Sequence, residues 1–173
     1  ILENDRTYNP AGLYTDDEGN IHFYDNQEDN YKQDHYQFHW NQRLNNNWVS
    51  NFSLHYTYGR GYYEEYVEDQ HMEDYGLDHN DEEEEEEELT DLIRRKWLDN
   101  DFYGTVFNFI NTTNKYGLVL GGSWNNYYGK HFGEVIWARH AGESEIRHKY
   151  YDLYGDKTEL NLYSKLDYHL NEK

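Results

Sequence analysis

Between His35 and Tyr58 nearly every second residue is large and apolar, and the residues between are mostly His, Gln, Asn, Ser and Thr. Alternation with a period of two is the signature of a strand with one wet and one dry face. Tyr36, Phe38 and Trp40 share one face, and His35, Gln37, His39, Asn41 and Arg43 the other. After the turn cluster Asn45-Asn46-Asn47, the residues Trp48, Phe52, Leu54, Tyr56 and Tyr58 alternate with Val49, Asn51, Ser53, His55 and Thr57. A hairpin closed on that turn puts residues whose numbers sum to 92 opposite each other. Leu44 then meets Trp48, Trp40 meets Phe52, Phe38 meets Leu54 and Tyr36 meets Tyr56, so apolar faces apolar across the register. Gln42 and Ser50 alone interrupt the apolar face, and they meet each other.

The pattern recurs. Tyr103, Phe107 and Phe109 alternate with Gly104, Val106 and Asn108, residues 111–115 read as a turn, and Leu118, Leu120, Trp124 and Tyr128 follow. Pairs summing to 227 match here: Phe109 with Leu118, Phe107 with Leu120 and Tyr103 with Trp124. A fifth strand carries Leu160, Leu162, Leu166, Tyr168 and Leu170 on one face. The expected fold is therefore all-β, an antiparallel up-and-down meander of about five strands. The chain divides into a loop at 1–32, a hairpin at 33–58, a loop at 59–97, a hairpin at 98–128, a loop at 129–156 and a strand at 157–171. Within 1–32, "TDDEGN" reads as the turn of a small hairpin, with Leu13 and Tyr14 leading in and Ile21 to Tyr24 leading out.

Short turns alternate with long loops. In a compact water-soluble domain, loops beyond about 12–15 residues are uncommon, whereas short turns at one end and long loops at the other mark a transmembrane β-barrel. Composition points the same way. A mean hydropathy of −1.25 and 36% hydrophobic residues leave little for a protein core, yet 18% of the residues are aromatic and periodic. Lipid can solvate such a face. Trp48 near a turn, with Tyr56, Tyr58, Tyr62 and Tyr63 near a loop, suits the membrane interfaces. No apolar run approaches the ~20 residues of a spanning helix. Ile1 to Pro10 has neither a basic start nor an apolar core, so no signal peptide is expected there. The other architecture open to this pattern is a β-sandwich or jelly roll, with aromatics packed inside or lining a sugar site.

A net charge of −20 disfavours nucleic acid as a partner. The absence of Cys removes disulfides, Cys-zinc sites and thiol nucleophiles. The acidic run Asp81–Glu88 is expected to be solvated. His35 and His39 have a spacing that binds metal on a helix, but on a strand they stand ~13 Å apart and read as polar lumen residues. "DDEGN", Asp16–Asn20, lacks the distal Glu of a calcium loop and reads as a tight turn. No metal, no cofactor and no catalysis are expected, since neither acid pairs nor a Ser–His–Asp order stand out. Arg94, Arg95 and Lys96 beside Trp97 either face an anionic ligand such as lipopolysaccharide or balance the acidic loop. The glycines of "YGRGYY" read as a bend or bulge.

Four stretches carry a family resemblance: "YNPAGLYTDDEGNIHFYDNQEDNYKQDHYQFHWNQRL" (Tyr8–Leu44), "LHYTYGRGYYEEY" (Leu54–Tyr66), "LIRRKWLDNDFYG" (Leu92–Gly104) and "HFGEVIWARHAG" (His131–Gly142). They resemble the barrel portion of TonB-dependent outer-membrane receptors, especially those of Bacteroidetes-like bacteria. The resemblance implies a barrel of about 22 strands with a plug inside. It also implies import of a scarce nutrient (an iron–siderophore, haem, cobalamin or a glycan) driven by the TonB complex through the plug region. Outer-membrane lipid and lipopolysaccharide would surround it, and the location would be the cell outer membrane. About five strands cannot close a barrel, which takes about eight at the least, so the chain is expected to be a fragment, without plug or TonB-contacting segment. Tyr62, Trp137, Arg139 and His140 are the ligand-contact candidates, because aromatics and Arg suit a large, partly apolar, often anionic cargo. Packing among loops is the competing account of each. A passive porin-like barrel and a secreted or surface carbohydrate-binding β-sandwich remain as alternatives.

Overall fold

The computed structural model describes residues 13–16, 18–25, 28–77, 89–142 and 144–170. The acidic run Asp81–Glu88 and the end of the expected last strand lie outside them. The described residues form seven strands: β1 (Leu13–Thr15), β2 (Ile21–Phe23), β3 (Glu28–Arg43), β4 (Trp48–His71), β5 (Leu89–Thr112), β6 (Tyr116–Ala138) and β7 (Lys149–Tyr168), with one short 3-10 turn at Met72–Tyr75. β1 and β2 pair antiparallel, Leu13 opposite Phe23 and Thr15 opposite Ile21. The other five form one antiparallel meander in chain order, β3-β4-β5-β6-β7.

The first hairpin closes as the alternation predicts. The Leu44 N–H donates to the Trp48 carbonyl at 2.9 Å. His35 Nδ1 lies 2.9 Å from Thr57 Oγ1, and His39 Nδ1 2.9 Å from Ser53 Oγ. Tyr36 and Tyr56 stack at 6.0 Å, and Ser50 Oγ donates to the Gln42 carbonyl at 3.4 Å. All these pairs obey the register read from the sequence.

The second hairpin differs by two residues. Thr113 N–H donates to Tyr116 O at 2.9 Å, so at the turn the facing pair sums to 229 rather than 227. The cause is the Thr113 hydroxyl, which accepts the N–H groups of Tyr116 at 3.0 Å and Lys115 at 3.3 Å and shortens the bend to Asn114 and Lys115. An even shift keeps every side chain on its face, and Tyr103 still meets Trp124 edge to face at 5.9 Å.

The strands also run further than the alternation marks. The loops expected at 1–32, 59–97 and 129–156 are strand over 28–32, 59–71, 89–97, 129–138 and 149–156. The reason is a change of pairing code. Past Tyr58, apolar facing apolar gives way to charge facing charge: Glu64 meets Arg95 and Glu65 meets Arg94, each at 2.7 Å. Tyr62 against Trp97 belongs to the same β4–β5 register, in which residues sum to 159. Cross-strand pairs of either kind stabilise a sheet, but only the apolar kind gives a period in hydropathy.

Residue contacts divide the chain into two compact units. The first comprises Ile1–Lys32, Arg60–Leu98 and Lys130–Leu153; the second comprises Gln33–Gly59, Asp99–Gly129 and Tyr154–Lys173. The first holds a small core of Met72, Tyr75, Leu77, Leu92 and Val135. The second has no such core among the described residues. Its large apolar side chains stay open: Trp40 is 46% exposed, Leu54 45% and Leu160 66%. Opposite them lies a polar network in which Asn51 Nδ2 donates to Asn108 Oδ1 at 2.7 Å, and His55 Nε2 sits 3.0 Å from Asn125 Oδ1. Gly104 makes room for that last contact, because a Cβ there would meet the Trp124 carbonyl at 2.3 Å and Asn125 Oδ1 at 2.5 Å.

Candidate functional site

Two recesses lie in the first unit. One, of about 620 Å³, takes wall residues from all five long strands, among them Tyr31, Tyr63, Lys96, His131 and Tyr151. Tyr31 can lie there because its cross-strand neighbour is Gly61, where a Cβ would meet the Tyr31 ring at 2.7 Å and the Asn30 carbonyl at 2.1 Å. Gly61 therefore serves close packing inside a continuous strand, not a bend. Lys96 sits over the Tyr63 ring at 5.5 Å and 3.4 Å from Glu65. Asp29, Trp97 and Leu98 also line the recess. Rings, a cation, an acid and an imidazole together suit a ligand with apolar faces and hydrogen-bonding edges.

The other recess, of about 580 Å³, lies where the β1–β2 hairpin packs on the sheet of this unit. Tyr14 and Tyr24 both meet the Tyr66 ring, at 5.1 and 6.2 Å, and the Tyr24 hydroxyl donates to Glu64 at 2.9 Å. Phe23, Ile93, Trp137 and Arg139 complete the wall. Asp91, buried, organises the site: it accepts from Arg139 Nη2 at 2.6 Å, the Tyr66 hydroxyl at 2.9 Å and the Asp69 N–H at 3.2 Å. Burial pushes the Tyr66 phenol well above its ordinary range, and the bond to Asp91 adds to the rise. The hairpin itself is tied at its turn by Asp16. Its carboxylate accepts the Asn20 side chain and backbone at 3.0 and 2.7 Å and lies 2.7 Å from His22. The Asn20 side chain first, then His22, hold that carboxyl below the usual range.

Of the residues singled out from the sequence, Trp137 and Arg139 share this second recess. Tyr62 lines the first, packed on Trp97 at 4.5 Å beneath the Arg95 guanidinium at 4.2 Å, with its hydroxyl donating to Glu28 at 3.1 Å. His140 lines neither. Its side chain is exposed and its backbone N–H donates to Thr90 Oγ1 at 2.9 Å. The basic group Arg94-Arg95-Lys96 is balanced by Glu64 and Glu65 on the neighbouring strand. For Arg94 burial works against the charge and Glu65 more than offsets it, so its pKa rises. Tyr31, His131, Tyr14 and Tyr66 are wall residues the alternation did not single out. Extending the sum 92 past Tyr58 would have found Tyr31 opposite Gly61, whereas the Glu–Arg pairs needed the β4–β5 register, which the alternation did not set. Among the described residues no three His, Asp or Glu side chains gather as metal ligands. Comparison with family models, with curated proteins and with solved structures finds no match in any of the three.

Proposed function

We propose that this chain forms part of the wall of a large outer-membrane β-barrel, a receptor of about 22 strands that imports a scarce nutrient under TonB drive. The observation that carries the reading is the amphipathic sheet of the second unit. One face shows Tyr36, Phe38, Trp40, Leu54 and Trp124 exposed, and no second layer covers them among the described residues. The other face carries hydrogen-bonded His, Ser and Asn side chains. In water an apolar face of this size invites association. In a bilayer it is solvated, and the polar face lines an aqueous lumen.

The sheet's edges support the same reading. β3 and β7 each have a neighbour on one side only among the described residues. A membrane tolerates no open strand edge, so further strands of the barrel complete the pairing. Lipid and lipopolysaccharide contact the apolar face, and the TonB complex acts through a plug. The cargo, an iron–siderophore, haem, cobalamin or a glycan, meets the recesses that Tyr62, Trp137 and Arg139 line, with His140 near by in sequence. No catalytic step belongs to this reading.

The test is depth-dependent quenching. Carried within the complete barrel and reconstituted into vesicles of brominated phosphatidylcholine, Trp40 and Trp124 should each be quenched, read in variants in which that residue is the single Trp. A monomer that stays soluble without detergent and shows neither residue quenched would leave the carbohydrate-binding sandwich as the better account.

A further inference from the structure

The segment Met72–Leu77 folds back as a strap over the sheet of the first unit, and three of its side chains, Met72, Tyr75 and Leu77, join Leu92 and Val135 in the core there. Its one polar ring is anchored at the hydroxyl end: Tyr75 donates to Gln70 Oε1 at 2.9 Å, and Arg94 Nη1 donates to the Tyr75 hydroxyl. Its backbone is anchored elsewhere. His148 Nε2 lies 2.5 Å from the Tyr75 carbonyl, and His148 Nδ1 lies 2.8 Å from the Glu145 carbonyl.

Both partners of the imidazole are backbone carbonyls, which only accept. A neutral imidazole has one N–H and one bare nitrogen, whereas the imidazolium has two N–H groups. The two contacts can both be hydrogen bonds only if the ring is doubly protonated. We propose that His148 is a proton-operated latch, which as imidazolium ties the 72–77 strap to the 144–148 turn and as neutral imidazole releases one of the two. Histidine is the side chain whose charge ordinarily changes between pH 5 and 8. The strap is therefore held more tightly in mild acid and loosened above neutrality.

The surroundings leave this task to His148. On β5, Arg94 is engaged by Glu65 of β4 and by the Tyr75 hydroxyl. On β7, Lys149 is held by Asp152 at 2.9 Å, and Tyr150 packs on the Tyr75 ring at 4.7 Å. From β6 comes the Val135 carbonyl, which accepts the Arg147 N–H at 2.9 Å and fixes the turn that carries His148. Glu73 and Asp74 are the acidic residues of the strap, and the ring meets Glu145 through its backbone carbonyl. The inference stands on these contacts alone and does not depend on the barrel reading.

The experiment is amide hydrogen exchange on the full chain at pH 5.5 and pH 8, corrected for the intrinsic rate. The Gly76 and Leu77 N–H groups, bonded to Glu73 O at 3.0 Å and Met72 O at 3.1 Å, are the reporters. Protection should be about tenfold greater at pH 5.5, the worth of one hydrogen bond from a charged donor, and His148→Phe should bring the ratio close to one. An unchanged ratio in the variant, or no pH dependence in the native chain, overturns the latch. Should His148→Phe not fold, the imidazole nitrogen resonances of the native chain decide: both nitrogens protonated at pH 5.5 supports it, and one bare nitrogen at that pH ends it.

Discussion

The same five long strands, β3 to β7, serve two units that are built on different rules. In the first unit, stability comes from familiar sources: a small core around Leu92, cross-strand pairs of Glu and Arg, and stacked rings such as Trp97 on Phe132 at 5.6 Å. In the second, the largest apolar residues look outward and the polar ones hold each other across the opposite face. The core residues of the first unit bury one another within the protein. The large apolar side chains of the second stay exposed, and on the proposed reading lipid covers them. The difference teaches that the solvent of a strand is written in what its side chains meet, not in how long it runs or how it pairs.

The contrast can be broken most strongly at the core of the first unit. Leu92 is fully buried, so Leu92→Ala should cost about 2–5 kcal/mol, the range for a buried leucine that leaves a cavity. Denaturant unfolding followed by Trp97 emission, in a background where it is the single Trp, checks it. A loss below 1 kcal/mol would mean that this unit's core is not what holds it.

Leu54→Arg tests the exposed face of the second unit. If bilayer hydrocarbon covers that face, the charge should cost about 2–4 kcal/mol in vesicles near mid-depth. If water covers it, the same change at a site already 45% exposed should be close to neutral. Refolding equilibria in lipid vesicles separate the two.

A smaller effect is expected at Gly104. An added methyl would press on the Trp124 carbonyl and the Asn125 side chain, and Gly104→Ala should destabilise by about 1–3 kcal/mol, as overpacking does. The loss should be confined to the second unit, read as faster amide exchange around Asn125 with the first unit unchanged.

The smallest effect is a pH dependence of the β1–β2 hairpin. Asp16 has a carboxyl pKa depressed in the folded hairpin, chiefly by Asn20 and then by His22. Its contribution is present above the unfolded carboxyl value, about 3.9, and is lost as pH falls through the lower folded value. Asn20 and His22 resonances should keep their folded positions at pH 5 and drift below pH 3. Asp16→Asn should drift at neither.

Much of the fold was legible in the chain because a lipid-facing or core-facing strand must repeat every two residues. The register of β3 on β4 followed from matching faces, and Gln42 opposite Ser50 shows how far that matching goes. The β5–β6 register escaped by two, because a single hydroxyl on Thr113 decides the length of the turn and leaves no trace in hydropathy. Likewise the second recess was half legible: Trp137 and Arg139, singled out from the sequence, line it, but the Tyr14, Phe23 and Tyr24 that share it come from a hairpin more than a hundred residues earlier.

By itself the sequence determined the strands, their faces and the order of the meander, since these rest on local periodicity and on neighbours joined by a turn. How far the strands extend, which carboxylate holds which cation and where the strap at Tyr75 lies emerged from the folded chain. Those features depend on contacts between residues distant in the chain, such as Glu64 with Arg95 and Tyr75 with His148. Such pairings gain their energy only when the chain has already brought the partners together.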